Sequence, residues 1–253
     1  MPSALAGHTA LVTGAAKRVG RAIALSLAAE GVNCLLHYNQ SAREVEETAG
    51  QCRRMGVSAT LLQADLRDLE AIERLGREAA DGGADLFVHN ASTFSRIPFL
   101  DTPVGTHRDM LSRDLRLHVE TPYLLGRILG ERMVERGFGR IVVIGDWSAE
   151  AAVYRNYGPY IVSKAAVPTL VRVLALELGS RCPAVTANAV LPGPILPPEG
   201  HDAADIEMVR RQTILGDWVG PDEVVRAVRF LLDSPGITAT ALNVDGGRAA
   251  KAL

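Results

Sequence analysis

The chain has 253 residues, 47% of them apolar and 22% charged, with a formal net charge of −2. That balance excludes wholesale disorder and leaves no basic surplus to neutralise nucleic acid, and no run approaches the roughly 18–20 apolar residues that cross a bilayer. The three scattered cysteines, Cys34, Cys52 and Cys182, read as reduced thiols of a cytoplasmic protein, and the opening MPSALAGHTALVTG lacks a secretion-signal pattern.

Apolar, β-rich runs alternate with amphipathic helical patterns along the whole chain. The predicted strands are 9–13, 32–38, 60–64, 85–89, 140–145, 185–191 and 240–244. They are continuous rather than alternating, as strands covered on both faces should be. The predicted helices are 18–30, 42–56, 68–80, 107–136, 157–179 and 221–232, with Thr121-Pro122 kinking or restarting the fourth. This order implies one domain over 1–253. It should be an α/β, Rossmann-type, doubly wound parallel sheet of about seven strands with helices on both faces. One stretch is irregular: residues 191–202 hold four prolines in twelve positions. It reads as a stiff loop leading into a mobile substrate lid at about 191–220.

The first predicted strand runs into Gly14-Ala15-Ala16-Lys17-Arg18-Val19-Gly20. Two glycines at a strand-to-helix turn allow a pyrophosphate to approach the backbone and rest on the helix N-terminus. An ordinary tight turn would look similar. Arg18 stands where a glycine is usual. The second strand ends His37-Tyr38-Asn39-Gln40-Ser41, without the acid that would bind a ribose 2′-hydroxyl. Arg18, His37 and Ser41 can instead surround a 2′-phosphate, which favours NADPH over NADH. His37 could equally be a half-buried strand-end residue. Asp65, followed by Leu66, either accepts from the adenine amino group or caps the next helix. Asn90-Ala91-Ser92 follows the fourth strand at the sheet's carboxyl edge, where such folds bind ligands.

The most informative pair is Tyr160 and Lys164, four residues apart on one helix face. Of 27 basic residues only Lys17, Lys164 and Lys251 are lysine, so a lysine at this spacing is unlikely to be chance. An ammonium near the phenol should lower its pKa and make it a usable proton donor and acceptor. Aromatic side chains concentrate nearby. Trp147, Tyr154, Tyr157 and Tyr160 fall within fourteen residues, and Phe94 should face the same cleft. They suit a flat heteroaromatic substrate or, alternatively, a subunit interface. Asp146 ends the fifth strand. A carboxylate only accepts hydrogen bonds, so it suits a substrate with ring N–H and amino donors rather than a ketone oxygen, unless it merely caps a loop.

These motifs, with Pro192-Gly193 (and Ile195 beyond) and Val244-Asp245-Gly246-Gly247, make the chain resemble the short-chain dehydrogenase/reductase family over nearly its whole length. Three departures from the family pattern stand out. Asp146 replaces the usual serine, His118 the usual asparagine, and Arg18 a turn glycine. With Asn90-Ala91-Ser92-x-Phe94 and HVETPYLL (118–125), they resemble the pteridine reductases and bacterial dihydromonapterin reductases. The resemblance implies a homotetrameric reductase using NADPH on a pterin ring C=N bond. Arg18, His37 and Ser41 would meet the cofactor phosphate, Phe94 would stack the pterin, and Asp146 and Tyr160 would serve proton transfer. Gly14, Lys17, Val19, Gly20, Tyr38, Asn39, Asp65, Leu66, Asn90, Ala91, Ser92, Pro192, Gly193 and Ile195 would complete the cofactor site. Ser92, Trp147 and Tyr157 would join the substrate site. His118 would hold a water behind Lys164. The alternatives are a carbonyl reductase of 3-oxoacyl thioesters or small ketones, and a non-catalytic NADPH-binding sensor.

Overall fold

The computed structural model describes residues 4–150, 154–196 and 203–251, the side chains of 203–205 excepted. Seven strands form one parallel sheet in the order β3-β2-β1-β4-β5-β6-β7. They are β1 (Thr9–Val12), β2 (Asn33–Tyr38), β3 (Ala59–Gln63), β4 (Leu86–His89), β5 (Gly139–Ile144), β6 (Val185–Pro192) and β7 (Ala241–Val244). The order reverses between β1 and β4, whose register pairs Val12 with Val88. A crevice opens there at the carboxyl ends, because successive connections leave in opposite directions.

Strand side chains alternate between two apolar layers. Leu11, Phe87, Ile141 and Val143 point to one layer, shared with α3 (Leu69–Asp81), α5 (Thr121–Arg136) and α7 (Val167–Gly179). Ala10, Val12, Val88, Val142 and Ile144 point to the other, shared with α1 (Arg18–Ala29), α2 (Ala42–Arg54) and α9 (Pro221–Asp233). Every residue of β4, β5 and β6 is buried, which explains their unbroken apolar runs.

The restart expected at Thr121-Pro122 is found, and four details go beyond the sequence expectation. The long fourth helix is two helices, α4 (Val104–Leu115) and α5, joined by a wide π turn over Arg116–Glu120. Thr121 closes that turn by donating its N–H to the carbonyl of Arg116, five residues back. Pro122 has no N–H, so it fits only at the start of a helix, and α5 restarts there. The 157–179 helix is interrupted at Ala166 into α6 (Gly158–Ala165) and α7, with Pro168 in the first turn of the second. Within the expected lid, α8 spans Ala203–Arg211, while residues 197–202 lie outside the described residues. A short α10 (Arg248–Lys251) follows β7, capped by Asp245, whose carboxylate accepts from the N–H groups of Gly247 and Ala249.

Candidate active site

A cleft of about 1240 Å³ lies along the carboxyl ends of the strands. Its floor at one end is the turn between β1 and α1. Gly14 has φ +65°, and a Cβ at Gly20 would sit 2.1 Å from the Gly14 carbonyl oxygen, so both positions exclude a side chain. Gly193 is equally tight, since its Cβ would meet Asp245 Cα at 2.6 Å. Arg18 holds φ +50°, the backbone state a glycine adopts freely, and so presents a guanidinium where a glycine would present nothing. Lys17 pairs with Glu44 at 2.7 Å. Asp65 lines the cleft and pairs with Arg67. The cap of α3 is Asp68, which accepts from the N–H of Glu70. Val19, Asn39, Leu66, Ala91, Pro192 and Ile195 also line this end. Together these residues fit a dinucleotide: a turn stripped of side chains, a helix N-terminus, the Arg18 guanidinium, which donates to the Leu196 carbonyl at 3.4 Å and has no carboxylate partner among the described residues, and no acid at the end of β2.

Three expected phosphate or cofactor neighbours behave differently. His37 is buried, and both ring nitrogens are committed within the protein. Nδ1 accepts from the Gly14 N–H (3.1 Å) and Nε2 donates to the Ala64 carbonyl (3.1 Å). Burial holds its pKa down to about 4, so it is neutral and cannot serve as a cation. It fixes the glycine turn instead. Ser41 precedes α2, with its carbonyl taking the Val45 N–H, and does not line the cleft. Tyr38 packs against the apolar layer under α1 and α2.

A buried polar net that the sequence reading missed ties β1 to β4. Thr13 Oγ1 bonds to His89 Nδ1 (3.1 Å) and accepts from the N–H groups of Asn90 and Ala91. His89 Nε2 donates to the Leu117 carbonyl (3.0 Å). The Asn90 amide donates to the carbonyls of Thr13 and Gly14, both at 3.2 Å. Gly14, Asn90 and Ala91 stand out in the sequence, but no local pattern marks Thr13 or His89, whose partners lie 28 to 78 positions away.

At the other end, α6 presents Tyr160 and Lys164, as the four-residue spacing requires. The Tyr160 hydroxyl donates to Asp146 Oδ2 at 2.8 Å, and the Ser148 N–H holds Asp146 Oδ1 at 2.8 Å. Lys164 is buried and donates to the Ile144 carbonyl at 2.8 Å. Burial lowers its pKa to about 8, while Asp146 and Asp114 act to keep it charged. The expected lowering of the phenol pKa is not found. Burial and the Asp146 carboxylate hold Tyr160 well above its ordinary value, so it is a protonated donor at neutral pH. Lys164 lies 5.9 Å from the centre of its ring.

Phe94 stacks on Tyr157 (4.3 Å between centroids, 15° between planes) and meets Tyr160 edge-on (4.9 Å). Half its surface is exposed to the cleft. Ser92, Tyr154 and Tyr157 line the same wall, whereas Trp147 does not. Its indole is buried and donates to the Tyr154 hydroxyl, because a buried indole N–H needs an acceptor. Trp147 therefore backs the wall instead of touching substrate. The Arg248 guanidinium lies over Trp147 and Tyr154 (4.6 and 5.5 Å to the centroids). Met208, Val209, Gln212 and Trp218 line the open side. His118 is buried, with Nδ1 2.7 Å from Ser163 Oγ and Nε2 2.9 Å from Ser92 Oγ. Both nitrogens are thus engaged by side chains, in place of the expected water behind Lys164.

Comparison with known proteins agrees with this geometry. Residues 14–249 match the family model described as enoyl-(acyl carrier protein) reductase. A short-chain type dehydrogenase/reductase of Picea abies is 31% identical, with 96% of this chain and 93% of the relative covered. A 3-oxoacyl-[acyl-carrier-protein] reductase of Synechocystis sp. is 29% identical, with 97% and 98% covered. The structure of FolM alternative dihydrofolate reductase 1 from Brucella canis, complexed with NADP, superposes with a TM-score of 0.86 at 29% identity, covering 97% of this chain and 95% of that one. With a dinucleotide turn, a Tyr160–Lys164 pair and this likeness along almost its whole length, the chain belongs to the short-chain dehydrogenase/reductase family and is an NAD(P)-dependent oxidoreductase.

Proposed function

We propose that the protein uses NADPH to reduce a ring C=N bond of a pterin. The observation that carries this reading is the 2.8 Å hydrogen bond from Tyr160 to the Asp146 carboxylate. A ketone-reducing site benefits from a second donor beside the tyrosine, aimed at the carbonyl oxygen. Here the neighbour only accepts, which suits the N–H and amino donors of a pterin. The half-exposed ring of Phe94 offers a flat face beside it. The preference for NADPH rests on Arg18 and on the absence of an acid after β2.

The cofactor would supply the hydride from C4 of its nicotinamide. Arg18 and the turn at Gly14–Gly20 would hold its phosphates, Asp65 its adenine, and Lys164 its nicotinamide ribose. Tyr160 begins protonated. When ring donors of the substrate engage Asp146, the phenol proton is released from that acceptor and can pass to the ring nitrogen. The buried Lys164 ammonium stabilises the phenolate left behind. Trp147 braces the aromatic wall from behind, and Arg248, which lines the cleft, lies over Trp147 and Tyr154. The lid read at about 191–220 would use α8, whose Met208 and Val209 line the cleft together with Trp218. The same reading gives a homotetramer built through α5 and α7, whose Tyr123, Val173 and Leu176 are exposed. Light scattering should report four chains, and a monomer at micromolar concentration would remove that part of the reading.

NADPH oxidation with a dihydropterin, with acetoacetyl thioester and with neither tests the assignment. Turnover is expected with the dihydropterin. Asp146→Ser should reduce that rate by about 10- to 1000-fold while sparing a simple ketone. The Synechocystis relative favours carbonyl reduction as the second reading. Turnover of the thioester without the pterin would establish it, and would refute pterin chemistry. Cofactor binding with no turnover of either would point to a non-catalytic sensor.

A further inference from the structure

The loop after β4 and the helix α6 meet along one wall of the cleft, where Phe94 touches Tyr160 and one buried ring hydrogen-bonds to both segments. Ser163 Oγ donates to the Tyr160 carbonyl at 2.7 Å. Its proton is thereby used, so His118 Nδ1 carries the proton it donates to Ser163 Oγ at 2.7 Å. The neutral ring then has its lone pair on Nε2, facing Ser92 Oγ at 2.9 Å and the Thr93 N–H at 3.4 Å. Burial keeps the ring neutral, with the charge of Lys164 acting in the same direction. The π turn Arg116–Glu120 carries His118 between the two segments.

We propose that His118 is a positioning residue. It fixes the substrate loop, through Ser92 and Thr93, relative to the proton donor Tyr160, through Ser163. The loop end sets where Phe94 stands. The helix end sets where the Tyr160 backbone stands. Ser163 and Ser92 are the only side chains that hydrogen-bond the ring among the described residues. Nearby, Thr93 Oγ1 donates to Asp114 Oδ1, which anchors the loop a second time to α4. Loop and helix thus form one unit along this wall of the cleft. The proposal rests on Tyr160 as proton donor and is independent of which substrate receives the proton.

Two substitutions cut the bridge at different ends. An asparagine amide reaches about as far as Nδ1, and a glutamine amide about as far as Nε2. His118→Asn should therefore keep the Ser163 contact and lose the loop, while His118→Gln should do the reverse. Hydrogen exchange of the amides at 92–95, measured on the protein alone, reads the loop end without any substrate. Exchange there should quicken about tenfold in His118→Asn and in Ser92→Ala, the size expected for one lost hydrogen bond, and should stay near wild type in His118→Gln. Kinetics then use whichever of dihydropterin and acetoacetyl thioester the wild type turns over. KM should rise several-fold in His118→Asn with kcat little changed, and kcat should fall about tenfold in His118→Gln with KM little changed. NADPH affinity should be unaltered in both.

Equal exchange at 92–95 in all variants, or parallel losses of kcat and KM in Asn and Gln forms, would overturn the proposal. If neither His118 variant folds, Ser92→Ala and Ser163→Ala decide by the same split, and the absence of a split overturns it. Failure of pterin turnover with the exchange pattern intact would refute the substrate assignment alone.

Discussion

Mild acid should unfold this protein before its carboxylates begin to titrate. His37, His89 and His118 are buried, and each has both ring nitrogens in hydrogen bonds. Burial holds His37 at a pKa of about 4 and His89 at about 3, and lowers His118 further. In the unfolded chain each returns to about 6.5. Below 6.5, therefore, the unfolded state takes up protons that the folded state refuses. Stability is full above 6.5 and falls as pH falls toward the folded-state values, by about 1.4 kcal/mol per pH unit per ring. At pH 5 each ring removes about 2 kcal/mol and the three together about 6. A domain of ordinary stability holds only about 5–15 kcal/mol. Glu44, Asp65 and Asp217 are also held below their ordinary values, by Lys17, Arg67 and the Trp218 N–H respectively, but they act only below about pH 4. Urea midpoints between pH 7.5 and 5 check this. Below about pH 6 the slope should correspond to about two to three protons, and His89→Gln should flatten it by about a third even if it also weakens the fold at pH 7.5. A midpoint constant across that range would refute the reasoning.

Tyr160→Phe should cut turnover by about 10²- to 10⁴-fold and leave NADPH titrations unchanged; retained turnover would remove Tyr160 as the donor. In the wild type, kcat/KM should fall above about pH 8 as Lys164 loses its proton, and Asp146→Asn should move that limb to lower pH because Asp146 holds Lys164 charged. Arg18→Gly should weaken NADPH by about 10- to 100-fold and NADH little. Its melting temperature should stay near wild type, since relief of the +50° φ offsets the added freedom of glycine, and equal losses for both cofactors would reject the phosphate contact. Gly20→Ala drives a Cβ against the Gly14 carbonyl and should lower stability by about 3 kcal/mol, seen as a drop of roughly 6–12 °C; an unchanged melting temperature would contradict the tightness of the turn.

The sheet was legible in the sequence because β4, β5 and β6 are buried on both faces, and only continuous apolar runs can fill such positions. The Tyr160–Lys164 pair was legible because lysine is rare here and the spacing is helical. The reading failed where a role depends on distant partners. His37 looks like a phosphate ligand until Gly14 and Ala64 take its two nitrogens. Trp147 belongs to the aromatic cluster in sequence, but its indole faces into the protein. Tyr160 was judged against Lys164 alone, whereas burial and Asp146 dominate its pKa. Helix α8 was read as part of the lid because prolines crowd the stretch before it and its nine residues make a short helix. The π turn left no signature except Pro122, since apolar positions continue on either side of it.

That wide turn also bears on how the chain can change in length. A π turn accommodates one residue more than an α-helical turn, so deleting a residue from 116–120 would make the turn α-helical but place Pro122, which has no N–H to give, inside the helix. Each residue turns an α-helix by about 100°, and the deletion would rotate α4 against α5 by that amount. Asp114 would leave Thr93, and the ring at 118 would no longer lie between Ser92 and Ser163. Length variation at this point is therefore restrained twice, by the chemistry of the cleft and by Pro122 in the backbone.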